Sequence, residues 1–130
     1  MRMYRATKLD PRRGNAITQI VASLSRRAEL AAVPATAIAI EAAQPNLDAD
    51  LVAQLAPRGV VLGVLDLSTE EIEDTNDVAA RIRAALRHIA PEALTVSPDC
   101  GMKFLSRPVA RAKLEAMVAG AAIVRRELTG

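Results

Sequence analysis

The segment Val60-Val-Leu-Gly-Val-Leu-Asp-Leu67 constrains this chain more than any other. It is apolar at nearly every position, with β-branched Val at 60, 61 and 64. A strand with one wet face alternates apolar and polar residues, whereas a strand covered on both faces reads as an unbroken apolar run. Two covered faces require packing layers on both sides, so the segment implies a parallel sheet clothed by helices.

The surrounding periodicity agrees. Residues 15–31 carry Ile17, Ile20, Val21, Leu24 and Ala28 at helical spacing, with Pro34 closing the segment. Thr36 to Glu41 is a short apolar strand. Asp48 is placed to cap a helix with Leu51, Val52 and Leu55 inward, ended by Pro57-Arg-Gly59. After the strand at 60–67, a polar loop leads to a helix from Asp74 or Thr75 with the stripe Val78, Ile82, Ala85, Leu86 and Ile89. Leu94-Thr-Val-Ser97 is a third strand. Ser106 and Pro108 open a last helix with Leu114, Met117, Val118, Ala121, Val124 and Leu128 on one face. The expected fold class is therefore α/β, with three parallel β-strands alternating with four helices. A basic arm at 1–14 precedes one domain at 15–130.

Three parallel strands leave two open edges, and unpaired edges invite association. The edges beside 36–41 and 94–98 are expected to be covered by a second copy or by another chain.

Composition narrows the function. The 130 residues are 51% hydrophobic, yet they include one Tyr, one Phe and no Trp. Single-stranded nucleic-acid binding relies on aromatic rings for base stacking, so that class is set aside. A net charge of +2 with interspersed signs gives no field for a polyanion. The local excess at Arg2, Arg5, Lys8, Arg12 and Arg13 reads as a solvated arm. The apolar run from Ala116 to Val124 is far short of the roughly 20 residues that span a bilayer, and no signal peptide is visible. A single cysteine suits a reducing cytoplasm.

In parallel α/β sheets, ligands gather at the carboxyl ends of the strands. Those ends here carry Glu41, Asp66 with Ser68 beyond it, and Asp99 with Cys100. Each also has a purely structural reading. Glu41 and Asp66 can satisfy loop amides, and Cys100 can pack as a small hydrophobe.

The segment Ser97-Pro-Asp-Cys-Gly-Met-Lys-Phe104 resembles the Asn-Pro-Asp-Cys-Gly-Leu-Lys signature of cobalamin-independent methionine synthases. It is closer still to the Pro-Asp-Cys-Gly-Met-Lys form of their relatives, the epoxyalkane:coenzyme M transferases. Ala39-Ile-Glu41 resembles the family strand that ends in Glu. Gly63-Val-Leu-Asp66, followed by Glu70-Glu-Ile-Glu73, resembles its Gly-Val-x-Asp strand. The resemblance covers roughly residues 30–128.

It implies a partial (β/α)8 barrel and zinc-dependent methyl or alkyl transfer to a thiol, of the 5-methyltetrahydropteroyltriglutamate–homocysteine methyltransferase kind. Zinc would stabilise the substrate thiolate at neutral pH. By the resemblance, Glu41 and Cys100 are metal ligands, and Asp66 and Ser68 are candidate rim residues. The family's His-x-Cys pair aligns with Asp10-Pro-Arg12, where Arg12 cannot ligate a metal. Ser68 stands where methionine synthases carry a catalytic His, and the sole histidine, His88, is expected on a helix surface. The expected function is a truncated or degenerate family member without catalysis of its own. The alternatives are a C-terminal part of a two-chain enzyme acting on homocysteine or coenzyme M, and a homodimer pooling two Glu and two Cys. The expected partners are accordingly a second copy, a complementary barrel chain or a small thiol, with no nucleic acid and no membrane.

Overall fold

A computed structural model describes residues 17–19, 34–43, 50–55 and 58–130. Its core strand is β3 (Gly59–Leu65), the constraining apolar run. Val60, Leu62, Val64 and Leu65 are buried, so both faces are covered as the sequence implies. On one side β3 pairs in parallel with β2 (Ala37–Ile40), register Ile38 to Val60 and Ile40 to Leu62. On the other it pairs in parallel with β4 (Leu94–Pro98), register Leu62 to Val96 and Gly63 to Ser97.

Beyond β2 lies β1 (Ile17–Gln19), also parallel, with Ile17 opposite Ala37. The sheet order is β1-β2-β3-β4. Two expectations are corrected here. The sheet has four parallel strands rather than three, because residues 17–19, assigned to a helix at 15–31, are extended. Pairing with β2 supplies backbone partners that no isolated helical turn would, and β-branched Ile17 and Thr18 favour it. The edge of β2 is accordingly covered from within the chain, not by a partner. The rest of the expected helix, residues 15–16 and 20–31, lies outside the described residues, as does the basic arm at 1–14.

Among the described residues there are three helices, against four expected: α1 (Asp50–Leu55), α2 (Thr75–Leu86) and α3 (Arg107–Thr129). In α1, Val52 and Leu55 are buried as expected. Asp74 caps α2, its carboxylate accepting from the Asn76 N–H at 2.7 Å, which satisfies one of the orphan donors of the first turn. Val78, Ile82 and Ala85 then face the core. The helix ends at Leu86, so Ile89 is buried from the turn beyond it, and His88 is half-buried in that turn rather than on a helix surface.

The last helix corrects the sequence reading most. Of its expected inward stripe, Val124 is buried and Met117 and Ala121 pack against the core, but Leu114, Val118 and Leu128 are exposed, while Lys113, Ala116 and Gly120 are buried instead. The buried face is thus turned toward the Lys113, Ala116 and Gly120 side by less than the roughly 100° step of one residue. Gly120 explains the shift. A Cβ there would lie 2.6 Å from Val78 Cγ1 and 2.9 Å from the Thr75 carbonyl oxygen. Only glycine lets α3 approach α2 so closely, and the approach decides which face turns inward.

Candidate functional site

All four strands run the same way, so the loops after β2, β3 and β4 open at one end of the sheet. Glu41 follows β2 directly and is half-buried. Asp66 follows β3. Asp99 and Cys100 follow β4, Asp99 buried and Cys100 exposed. Glu41, Asp66, Asp99 and Cys100 therefore follow strands that end at the same rim.

The rim is joined across the sheet by Asp99. Its backbone N–H donates to the Leu65 carbonyl at 3.3 Å, fixing residue 99 against the end of β3. Its carboxylate reaches past β3 to the loop after β2. There Oδ1 accepts from the N–H groups of Ala42 at 3.3 Å and Ala43 at 3.2 Å. These bonds tie the residue after Glu41 to the residue before Cys100, across a strand that lies between them. The crossing needs an empty place on β3. A Cβ on Gly63 would lie 2.1 Å from Asp99 Oδ1 and 2.9 Å from Asp99 Cα, so Gly63 is the residue that lets the carboxylate pass. The register between β3 and β4 shifts at the same point, between Gly63 and Leu65.

Neither Gly63 nor Asp99 was singled out for this role from sequence. The signal was present in the two motifs, Gly63-Val-Leu-Asp66 and Pro98-Asp-Cys100. Only the strand pairing shows that the glycine of one makes room for the aspartate of the other.

Asp66 makes a small closed turn. Its Oδ1 accepts from the Ser68 N–H at 2.8 Å and from the Ser68 hydroxyl at 2.6 Å. The hydroxyl bond first, then the amide bond, hold the carboxyl below the usual carboxylate range, with the nearby charges of Lys113 and Arg81 acting in the same sense. Ser68 is thus bound to Asp66 rather than standing alone on the rim. Cys100 is exposed, and its thiol lies 3.9 Å from the Gly101 carbonyl oxygen.

A carboxylate and a thiol are donors of the kind zinc takes, but a zinc site needs three or four. Among the described residues no group of three or more His, Cys, Asp or Glu side chains is placed to hold a metal ion. Asp10 and Arg12 lie outside the described residues. The described rim carries carboxylate and thiol side chains and does not by itself fit the ion.

Parallel strand–helix units with carboxylate and thiol side chains at their carboxyl ends define this as an α/β protein whose rim is where such folds bind ligands. More specifically, the chain belongs to the family described as "Cobalamin-independent synthase, Catalytic domain", whose profile matches residues 16–123. It is 43% identical over 91 residues to a methionine synthase of Thermococcus kodakarensis, covering 69% of this chain and 27% of that protein. It is 47% identical over 66 residues to a methionine synthase of Saccharolobus islandicus, covering 51% of this chain and 20% of that protein. Among solved structures it is similar to a B12-independent methionine synthase from Shewanella sp. W3-18-1 in complex with selenomethionine. That match has a TM-score of 0.75 and 33% identity, over 79% of this chain and 30% of that one. The chain thus spans less than a third of the length of each of these relatives. Among the described residues, no helix is long and apolar enough to cross a membrane.

Proposed function

We propose that this chain is the rim-bearing portion of a cobalamin-independent methionine synthase-type (β/α)8 barrel, and that it is not catalytic alone. In this reading Glu41 and Cys100 contribute two of the donors to a zinc ion. With its donor set completed, the ion would supply the Lewis acidity that lowers the pKa of a small thiol such as homocysteine or coenzyme M. Asp66 and Ser68 line the same mouth. The observation that carries the reading is the Asp99 carboxylate, whose bonds to the Ala42 and Ala43 amides bind the two donor-bearing loops into one unit.

The alignment that sets Asp10 and Arg12 against the family's His-x-Cys pair supports the non-catalytic half of the reading, since Arg12 cannot ligate a metal. The missing units are either a complementary barrel portion or a second copy of this chain. The outer side of β4 favours such an addition. It borders an open groove of ≈ 620 Å³ lined by Leu86, Leu94, Val96, Val124 and Leu128, where a barrel would seat its next strand–helix unit. The same reading places the protein in a reducing cytoplasm, where a catalytic thiol site survives.

Zinc analysis tests this directly. The chain purified without chelator is expected to hold zinc well below one ion per chain, with the bound fraction lost in Cys100→Ala and in Glu41→Ala. Methyl transfer to homocysteine by the chain alone is expected at background. A full equivalent of zinc that survives Cys100→Ala, or turnover by the isolated chain, would sink the proposal.

A further inference from the structure

Lys113 is the least expected charge in this structure. It stands two turns into α3 with its side chain wholly buried, and an ammonium taken out of water is strongly unfavourable unless fully paired. Its acceptors all belong to one segment, the loop from β3 to α2. Nζ donates to the Asp66 carbonyl at 2.8 Å, to the Glu71 carbonyl, and to the Glu73 carboxylate at 3.1 and 3.2 Å. Two carbonyls and one carboxylate match the three protons of an ammonium.

Glu73 is itself only 8% exposed, and its Oε1 accepts from the Asp66 N–H at 2.7 Å. Both backbone polar groups of Asp66 are therefore gripped. The carbonyl is held by Lys113, and the N–H by a carboxylate that Lys113 anchors. The Asp66 side chain is left to point along the rim and close its turn with Ser68.

Stability alone does not call for this arrangement. Apolar residues of similar volume in place of a buried ion pair are often neutral or stabilising. What an apolar pair cannot do is fix the place of a loop amide and a loop carbonyl. We propose that Lys113, acting through Glu73, is a positioning residue that sets the Asp66–Ser68 segment on the carboxyl rim. The last helix thereby fixes the shape of the β3 loop. This goes beyond the zinc reading and does not depend on it, because its readout is the order of a loop and needs neither metal nor turnover.

The test separates stability from positioning. In the full chain, Lys113→Met/Glu73→Leu and the milder Glu73→Gln are compared with the parent by urea unfolding and by amide hydrogen exchange, with residues 60–64 of β3 as internal reference. The double variant is expected to match the parent in unfolding midpoint. Its Asp66 amide is expected to exchange about tenfold faster or more relative to β3, the size of losing a hydrogen bond to a charged group. By NMR, the Asp66 carboxyl is expected to titrate closer to the usual carboxylate range. Glu73→Gln should speed exchange of the Asp66 amide by a smaller amount without raising the Asp66 carboxyl, because Lys113 keeps its charge, and its exchange decides alone if the double variant does not fold. Wild-type protection at Asp66 in a folded variant would overturn the proposal. So would a loss of protection equal in the loop and throughout β3, since that is the mark of a general stabiliser.

Discussion

Gly63 and Asp99 define a contact in which one residue's absence of a side chain is the other's function. Gly63→Ala would set a methyl 2.1 Å from Asp99 Oδ1 and 2.9 Å from its Cα. The carboxylate can swing away, but the backbone cannot. A loss of about 1–3 kcal/mol is expected, the usual range for overpacking. Asp99→Asn leaves the space unchanged and weakens the two amide bonds by removing the charge, for a loss of about 1.5–3 kcal/mol. Urea unfolding of both variants measures these losses, and a neutral Gly63→Ala would mean the crossing is not as tight as the structure has it. Asp66 offers a different check. Its carboxyl is depressed in the fold chiefly by the Ser68 hydroxyl, then by the Ser68 amide. A depressed carboxyl adds stability that is present above its unfolded pKa and is lost as pH falls through the folded value. The wild type should therefore lose stability on acidification below the usual carboxylate range. Ser68→Ala should shift the Asp66 titration upward while leaving it depressed, because the amide bond survives. An NMR titration that fails to move in Ser68→Ala would refute the assignment of cause.

Elements whose faces are set by their own sequence were legible. The unbroken run of β3 announced a strand covered on both sides, and Asp74 ahead of Val78 and Ile82 announced the start and inner face of α2. Where a face is set by a neighbour, the sequence misleads. Leu114, Val118 and Leu128 are better core residues than Lys113 and Gly120 on any hydrophobicity scale, yet the latter face inward. Gly120 admits α2, and Lys113 finds acceptors in a loop some 40 positions earlier; neither fact is visible along α3 itself. Likewise Ile17 fits a helical stripe with Ile20 and Val21, and only the edge of β2 draws residues 17–19 into the sheet. The site was legible in kind: the rim placement of Glu41, Asp66 and Cys100 followed from parallel strands, while the Asp99 bridge required the register. Gly120→Ala tests the helix argument because two effects oppose. Alanine gains about 1 kcal/mol of helix propensity. Its methyl meets Val78 Cβ at 2.7 Å and the Thr75 carbonyl oxygen at 2.9 Å, and overpacking against such fixed atoms costs about 1–3 kcal/mol. The variant should be less stable by about 1 kcal/mol, and a more stable one would show that the helices have room to part.

Across the whole molecule, stability should fall from the centre of the sheet outward. Strand β3 is hydrogen-bonded on both sides and buried on both faces. Among the described residues, strand β4 is bonded to β3 alone and meets an open groove on its other side, and its Thr95 is exposed. Local opening needs only the loss of contacts in the segment that opens, so amides with few buried neighbours exchange through small openings and central ones through global unfolding. Amide exchange by mass spectrometry should find the slowest amides in residues 60–65 and faster exchange in 94–98, even though the two strands pair with each other. Adding the strand–helix units that the proposed barrel requires should slow exchange in β4 and leave β3 unchanged, since β3 already exchanges at the global limit or close to it. That asymmetry distinguishes the seating of a neighbouring unit on β4 from a general rise in stability, which would slow both strands together. Equal protection of β3 and β4 in the chain alone would mean that the outer side of β4 is already covered, and that the groove is not where the missing units join.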